Sequence, residues 1–142
     1  MRVSFTCLLL VSVTACAPLS DYETGALAAR AVADARSQPE RLHLAYLDCY
    51  PLPRGAKRRC IAAIAGNTAS RVAARSRAYT TAFGYEAERL GFRAFLRDLD
   101  KPCAAINDGP LYNVKKNAYH VECVDGHRYD MRYDESGWTL VR

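Results

Sequence analysis

Apolar residues recur along the chain with two different periods, and the change between them divides the chain into two parts. Before residue 102 they recur every three or four residues, as in amphipathic helices. After residue 103 they alternate with polar residues, as in half-buried strands. The pattern predicts an α+β protein with about three N-terminal helices (residues 25–101) packed with an antiparallel β-meander of three to four strands (residues 103–142). Together they form one domain, residues 25–142.

Four segments have the helical period, separated by prolines and a glycine: residues 25–38, 40–49, 54–79 and 85–100. Thr24 is the predicted cap of the first segment, whose apolar stripe is Leu27, Ala31 and Ala35. The stripe of the third segment contains Ile61, Ile64, Thr68 and Val72. Gly91 lies inside the last segment, where a glycine weakens a helix but permits a close helix crossing.

The alternation in the last forty or so residues also predicts how the strands pair. A two-residue loop at Asp125-Gly126 would turn the charged residues of the next strand toward the core. We therefore expect a three-residue loop, residues 124–126, with Gly126 left-handed, and a four-residue turn at residues 134–137. A shorter strand over residues 111–114 precedes them. This register predicts a core face made of Tyr119, Val121, Cys123, Tyr129, Met131, Tyr133, Trp138 and Leu140.

The first sixteen residues have the layout of an export signal. Arg2 precedes an apolar run, residues 3–13, that is shorter than the about 20 residues needed to span a bilayer. The sequence Val13-Thr14-Ala15-Cys16 that ends the run resembles the lipobox of bacterial lipoproteins. That resemblance implies transfer of diacylglycerol to the Cys16 thiol, cleavage before Cys16, and acylation of the new amine with a fatty acid such as palmitate. An ordinary signal peptide, cut after Ala15 or Ala17, is the alternative.

The same resemblance implies where the protein lies and how it is held. Residues 1–15 are then a signal peptide, and residues 16–24 form a lipidated tether. Two or three acyl chains on one cysteine anchor a protein in a membrane far more firmly than a single chain. Ala17, which follows the lipidated residue and is not Asp, implies the outer membrane, with the domain facing the periplasm.

Cysteine usage is consistent with export. Four cysteines lie after the lipobox, and an even number in an exported chain favours two disulfides. Three pairings are possible, and nearest-neighbour pairing would join Cys49 to Cys60 and Cys103 to Cys123. Each bond would then stabilise the fold by roughly 3 kcal/mol. The first would hold two helices at a corner, and the second would fix the last helix to the sheet. The spacings are long for a zinc site, so no metal or other cofactor is expected.

Charge is unevenly distributed. The chain has a formal net charge of +5, and no acidic residue lies between Asp48 and Glu86. Seven basic residues lie in that interval: Arg54, Lys57, Arg58, Arg59, Arg71, Arg75 and Arg77. We single out Arg58, Arg71 and Arg75 as a binding surface for an anionic lipid, a glycan or an acidic protein. A solvated basic face with no ligand is the alternative. Nucleic acid is not expected, since no aromatic residue is interleaved with these charges before Tyr79.

No catalytic motif is evident. His120, Glu122 and Asp130 share the polar side of two neighbouring strands, and charge pairing with Arg128 and Arg132 explains them without catalysis. The segment from Tyr119 to Tyr129 (YHVECVDGHRY) resembles the strand–Cys–turn–strand unit of membrane-bound lysozyme inhibitor lipoproteins. That family is an all-β barrel, whereas more than half of this chain has the helical period.

These observations favour a membrane-anchored envelope lipoprotein with a non-catalytic binding or assembly role. Such a protein could be an accessory component of an envelope or secretion apparatus, with a protein partner there. An inhibitor or immunity protein acting on an exported hydrolase, such as a lysozyme, is one alternative. A cell-wall-acting enzyme is another.

Overall fold

A computed structural model describes residues 20–65 and 76–141 of the chain. Four helices precede four strands in the described part, so the predicted α+β class and the order of its two parts are confirmed. The described part has four helices, where about three were expected. The elements are α1 (Asp21–Arg36), α2 (Glu40–Cys49), α3 (Arg54–Ala65), α4 (Arg77–Asp98), β1 (Leu111–Asn113), β2 (Ala118–Glu122), β3 (Arg128–Asp134) and β4 (Gly137–Leu140).

Helix α1 begins earlier than predicted, and its cap is Ser20 rather than Thr24. The Ser20 hydroxyl accepts a hydrogen bond from the Glu23 amide, and the Glu23 carboxylate accepts one from the Ser20 amide at 2.9 Å. This capping box satisfies two amide groups that the first turn would otherwise leave unpaired. The last residues of the expected tether are therefore helical, although they remain exposed to solvent. The S-x-x-E spacing was the sequence signal for this start.

Helix α4 is longer than the segment predicted for it. It begins at Arg77, after Ser76, whose hydroxyl caps the Tyr79 amide. Gly84, the glycine expected to separate the third and fourth helical segments, instead lies within α4 and faces α3, so that predicted break is wrong. A Cβ at Gly84 would lie 2.9 Å from the Ile61 Cδ1, so the small residue allows α3 to pack closely. The cost of a helical glycine, about 1 kcal/mol, is thus offset by packing.

The helical core forms around α4. Ala31 and Ala35 of α1 are fully buried, as the predicted stripe requires, and pack with Tyr46, Tyr79 and Phe83. The Cys49–Cys60 disulfide joins the end of α2 to α3, which confirms the first expected pairing. Ile61 is buried in this core and Ile64 is partly buried, whereas Thr68 and Val72 lie outside the described residues.

The four strands form one antiparallel sheet in the order β1-β2-β3-β4. The predicted register is confirmed, since Val121 lies opposite Tyr129 and Tyr133 opposite Trp138. Gly126 has a φ of 86°, in the left-handed region expected for the loop between β2 and β3. Gly137 has a φ of 96° and pairs with Asp134, so the second turn closes more tightly than predicted.

The sheet packs its predicted core face against α2 and α4. Val121, Cys123, Tyr129 and Met131 are buried together with Leu47, Phe92, Leu96 and Ile106. The Cys103–Cys123 disulfide ties the segment after α4 to β2, which confirms the second expected pairing. One residue of the predicted core face deviates from the prediction, because Tyr133 keeps 41% of its surface exposed.

An open four-stranded sheet preceded by four helices differs from the all-β barrel that the hairpin resemblance implies. The likeness of residues 119–129 is therefore local to a disulfide-linked strand and its turn. Within residues 20–65 and 76–141, no helix has the length and apolar character needed to cross a membrane. The signal segment and the lipobox lie outside the described residues.

Candidate functional site

The cleft between α3 and α4, hereafter the α3–α4 cleft, is the strongest candidate site in the described part of the chain. It has a volume of about 540 Å³ and opens to solvent. One wall comes from the first two turns of α3 and the other from the first three turns of α4. The described residues that line it are Arg54, Gly55, Lys57, Arg58, Ile61, Arg77, Thr80, Thr81, Gly84, Tyr85 and Glu88.

Positive charge dominates this cleft. Arg54, Arg58 and Arg77 are exposed, and none of them forms an ion pair with a described carboxylate. Residues 66–75, which connect the two helices, contain no Asp or Glu. Among the described residues, no carboxylate therefore competes with a ligand for these three guanidinium groups. Guanidinium groups bind carboxylates and phosphates through paired hydrogen bonds, so the arrangement suits an anion.

Among the described residues that line the cleft, one is acidic: Glu88, which lies at the floor and is only 6% exposed. Its carboxylate pairs with the Lys57 ammonium group from α3. The same ammonium lies 4.0 Å from the centre of the Tyr50 ring, so Lys57 is held between a carboxylate and an aromatic face. Burial raises the pKa of Glu88 to about 7, and the hydrogen bond and charge of Lys57 oppose this rise.

The local sequence explains why these side chains converge. Lys57 and Arg58 follow Arg54 by three and four residues, so all three lie toward one side of α3. Arg77, Thr81 and Glu88 have helical spacing on α4 in the same way. Gly84 lets the two faces approach, and the Cys49–Cys60 disulfide fixes α3 beside the end of α2, where Tyr50 lies.

The structure brings together only part of the predicted binding surface. Arg58 lines the α3–α4 cleft, whereas Arg71 and Arg75 lie outside the described residues. Arg59, adjacent in sequence, is exposed but does not line the cleft. The sequence did not predict Glu88 and Thr81 as site residues, because they belong to a different helix from Arg58. The one signal for them was their helical spacing from Arg77, which places all three on one face of α4.

A second polar cluster lies on the outer face of the sheet, as the sequence predicted. His120 Nδ1 and the Lys116 ammonium each lie 2.9 Å from an oxygen of Asp130. Asp130 is more buried than expected, at 8% exposed, and its pKa lies below the ordinary value because His120 and then Lys116 stabilise the carboxylate. Arg128 pairs with Glu122 at 3.1 Å. In the described ranges, no three His, Cys, Asp or Glu residues are grouped so that they could hold a metal ion.

A third polar cluster joins helices to the loop before the sheet. Glu86 is buried and pairs with Arg36 of α1 at 2.7 Å and with Arg89 at 3.6 Å. Arg89 also donates hydrogen bonds to the carbonyl oxygens of Ile106 and Asn107. These side chains form ion pairs and hydrogen bonds with one another and with the loop. The cluster therefore holds α1 and the loop against α4.

No protein-family model, no curated protein and no solved structure matches this chain. The α3–α4 cleft combines a cavity of about 540 Å³ with three arginines that form no ion pair with a described carboxylate.

Proposed function

We propose that this chain is a lipid-anchored protein of a bacterial cell envelope whose role is to bind a partner without catalysis. The anchor is Cys16, and the domain faces the periplasm from the outer membrane. The α3–α4 cleft is the contact site, and the partner is an anionic component of the envelope. Such a protein acts as an accessory part of an envelope or secretion assembly.

The observation that carries the binding role is the set of three guanidinium groups around the α3–α4 cleft. Arg54, Arg58 and Arg77 come from two helices and line one concavity, and no described carboxylate forms an ion pair with them. Concentrating like charges costs free energy through repulsion, so an anionic ligand would stabilise the arrangement. The cleft is also concave, as ligand sites usually are, whereas a solvated basic face would not need a cavity.

The sequence Val13-Thr14-Ala15-Cys16 supports the anchor. Expression of the full chain in a bacterium supplied with a labelled fatty acid tests it directly. We expect label on the protein and an N-terminal peptide beginning at acylated Cys16 in mass spectrometry. The variant Cys16→Ala should keep its signal segment and take up no label. An unacylated mature protein that begins elsewhere would contradict the anchor.

Site-specific photo-crosslinking in cells tests the contact site. A crosslinking amino acid at position 81, in the cleft, should yield an adduct with an anionic envelope component. The same probe at position 41, exposed on α2 and outside the cleft, serves as the positional control. We expect Arg58→Glu to reduce the adduct at position 81 several-fold and Arg59→Glu to leave it unchanged. Equal adducts at both positions, or equal effects of both charge reversals, would contradict the proposed site.

A further inference from the structure

We propose that the α3–α4 cleft binds an oxyanion of the phosphate-ester class and that Glu88 controls this binding by holding or releasing Lys57. The inference rests on the proposed function, since it names the ligand class and the regulation of the same cleft. It makes the protonated form of Glu88 the one that binds the anion more tightly.

The size and chemistry of the α3–α4 cleft favour a phosphate ester over a bare ion. Guanidinium groups from both walls match the tetrahedral oxygens of a phosphate, and the exposed Thr81 adds a hydroxyl donor. The volume of about 540 Å³ exceeds what one phosphate group fills. The remaining space and the Tyr85 ring can accommodate the group that the phosphate esterifies.

Lys57 also lines this cleft, but unlike the three arginines its charged group already has a partner among the described residues. Its ammonium group is paired with Glu88 and lies over the Tyr50 ring. In this state the carboxylate cancels the lysine charge, and an incoming anion would meet a negative group on the floor. Only the three guanidinium groups are then able to attract an anion, and the Lys57 ammonium group does not contribute.

The surroundings of Glu88 leave Lys57 as its one compensating charge among the described residues. The groups that face it are Lys57 from α3, Tyr85 from its own helix, Tyr50 beyond the end of α2, and Tyr119 from β2. The Tyr50 hydroxyl already donates to the Pro110 carbonyl at 2.8 Å. No second described carboxylate lines the cleft. A carboxylate this buried and supported by one ammonium can take up a proton near neutral pH, which its raised pKa reflects.

Protonation of Glu88 therefore adds one effective positive charge to the cleft. The Lys57 side chain has four methylene groups and can move its ammonium from the floor toward a ligand between Arg54 and Arg58. Binding and protonation are linked reciprocally, so a bound anion must raise the pKa of Glu88 by the same free energy. Anion binding near neutral pH should accordingly be accompanied by proton uptake.

The test is calorimetric titration of the purified mature, lipid-anchored protein in a neutral detergent. Sulfate is the first probe, since it is a doubly charged oxyanion that does not titrate near neutral pH, whereas phosphate itself does. For the unaltered protein we expect binding about five- to tenfold tighter at about pH 5.5 than at about pH 8.5, the effect of one added charge. Repeating the titration at about pH 7 in buffers of different ionisation enthalpy should show proton uptake.

Matched variants assign the effect to the pair. Glu88→Gln should bind tightly at both pH values, and Lys57→Gln should bind more weakly than the unaltered protein at both. Glu86→Gln alters the other buried glutamate of α4, which lies outside the cleft, and should keep the pH dependence of the unaltered protein. Circular dichroism confirms folding, and if Lys57→Gln unfolds, Lys57→Met takes its place. An unchanged pH dependence in Glu88→Gln would overturn the control by Glu88.

Two further probes separate the sources of a phosphate ester. Glycerol 3-phosphate represents a soluble monoester, and glycerophosphoglycerol represents the diester headgroup of an anionic lipid. Tighter binding of either one supports the ligand class and names its source, while binding of neither overturns it. Sulfate binding without pH dependence would overturn this inference and leave the proposed contact site standing. Equal losses of affinity in Arg58→Glu and Arg59→Glu would overturn both.

Discussion

Gly91 of α4 packs against the backbone of α2 at the carbonyl group of His43. A Cβ at position 91 would lie 2.6 Å from that carbonyl oxygen and 3.1 Å from the Leu47 Cβ. Neither atom is the flexible end of a side chain, so the helices could accommodate a methyl group only by moving apart. The crossing therefore depends on this glycine, and through Leu47 it also affects the packing of the sheet.

Replacing Gly91 with alanine should destabilise the protein. We expect Gly91→Ala to lower the free energy of unfolding by about 1–3 kcal/mol, the usual cost of overpacking. Gly25→Ala is the matched control, since Gly25 is also helical but a Cβ there meets no atom within 4 Å. It should raise stability by about 0.5–1 kcal/mol because alanine favours the helix. Urea denaturation of both variants measures the difference, and equal shifts would show that the crossing is not tight.

Glu88 should make stability fall as the pH rises. Its pKa is about 7 in the folded protein against an ordinary 4.5, so the fold favours the protonated form. This contribution is complete below about pH 4.5 and is lost as the pH rises through about 7, up to roughly 3 kcal/mol in all. Chemical denaturation across this range should show Glu88→Gln gaining stability relative to the unaltered protein. If the difference in free energy of unfolding between the two proteins did not vary with pH, the raised pKa of Glu88 would be contradicted.

The Cys103–Cys123 disulfide should hold the sheet against the helices. The double variant Cys103→Ala/Cys123→Ala should lose about 3 kcal/mol of stability, because its closed loop constrains the unfolded chain. Hydrogen exchange should become faster in β2 and β3 than in α1. In Cys49→Ala/Cys60→Ala the faster exchange should instead lie in α2 and α3. The same exchange pattern in both variants would contradict separate roles for the two bonds.

Asp130 should stabilise the sheet at neutral pH but not in acid. Its carboxylate is buried and bound by His120 and Lys116, which hold its pKa below the ordinary 3.8. Asp130→Asn should therefore cost about 1–3 kcal/mol at neutral pH. The cost should shrink as the pH falls below 3.8, where the unaltered protein also loses the charge.

Thermal unfolding at several pH values tests this expectation for Asp130. Asp48→Asn is the control, because Asp48 is exposed and forms no ion pair with a described residue. It should change stability little at any pH. A cost of Asp130→Asn that persists undiminished in acid would show that shape, and not charge, is responsible.

The sheet was the part of the fold that local pattern could predict in detail. Strict alternation from Tyr119 onward admits one register that buries the apolar side, and Gly126 supplies the turn which that register needs. The helix ends were harder to predict. Gly84 resembled a break because a glycine is unfavourable in an isolated helix, and the compensation comes from Ile61 on another helix.

The sequence by itself determined the two-part architecture, an even number of cysteines after the lipobox and a basic interval without acidic residues, since periodicity, spacing and composition are local properties of a chain. Only the tertiary structure decided how the cysteines pair and which of those charges meet. Arg58 and Arg59 are adjacent arginines of the same basic interval, yet Arg58 lines the α3–α4 cleft and Arg59 does not. Glu88 acquires its raised pKa from burial beneath α3, and burial depends on residues distant along the chain.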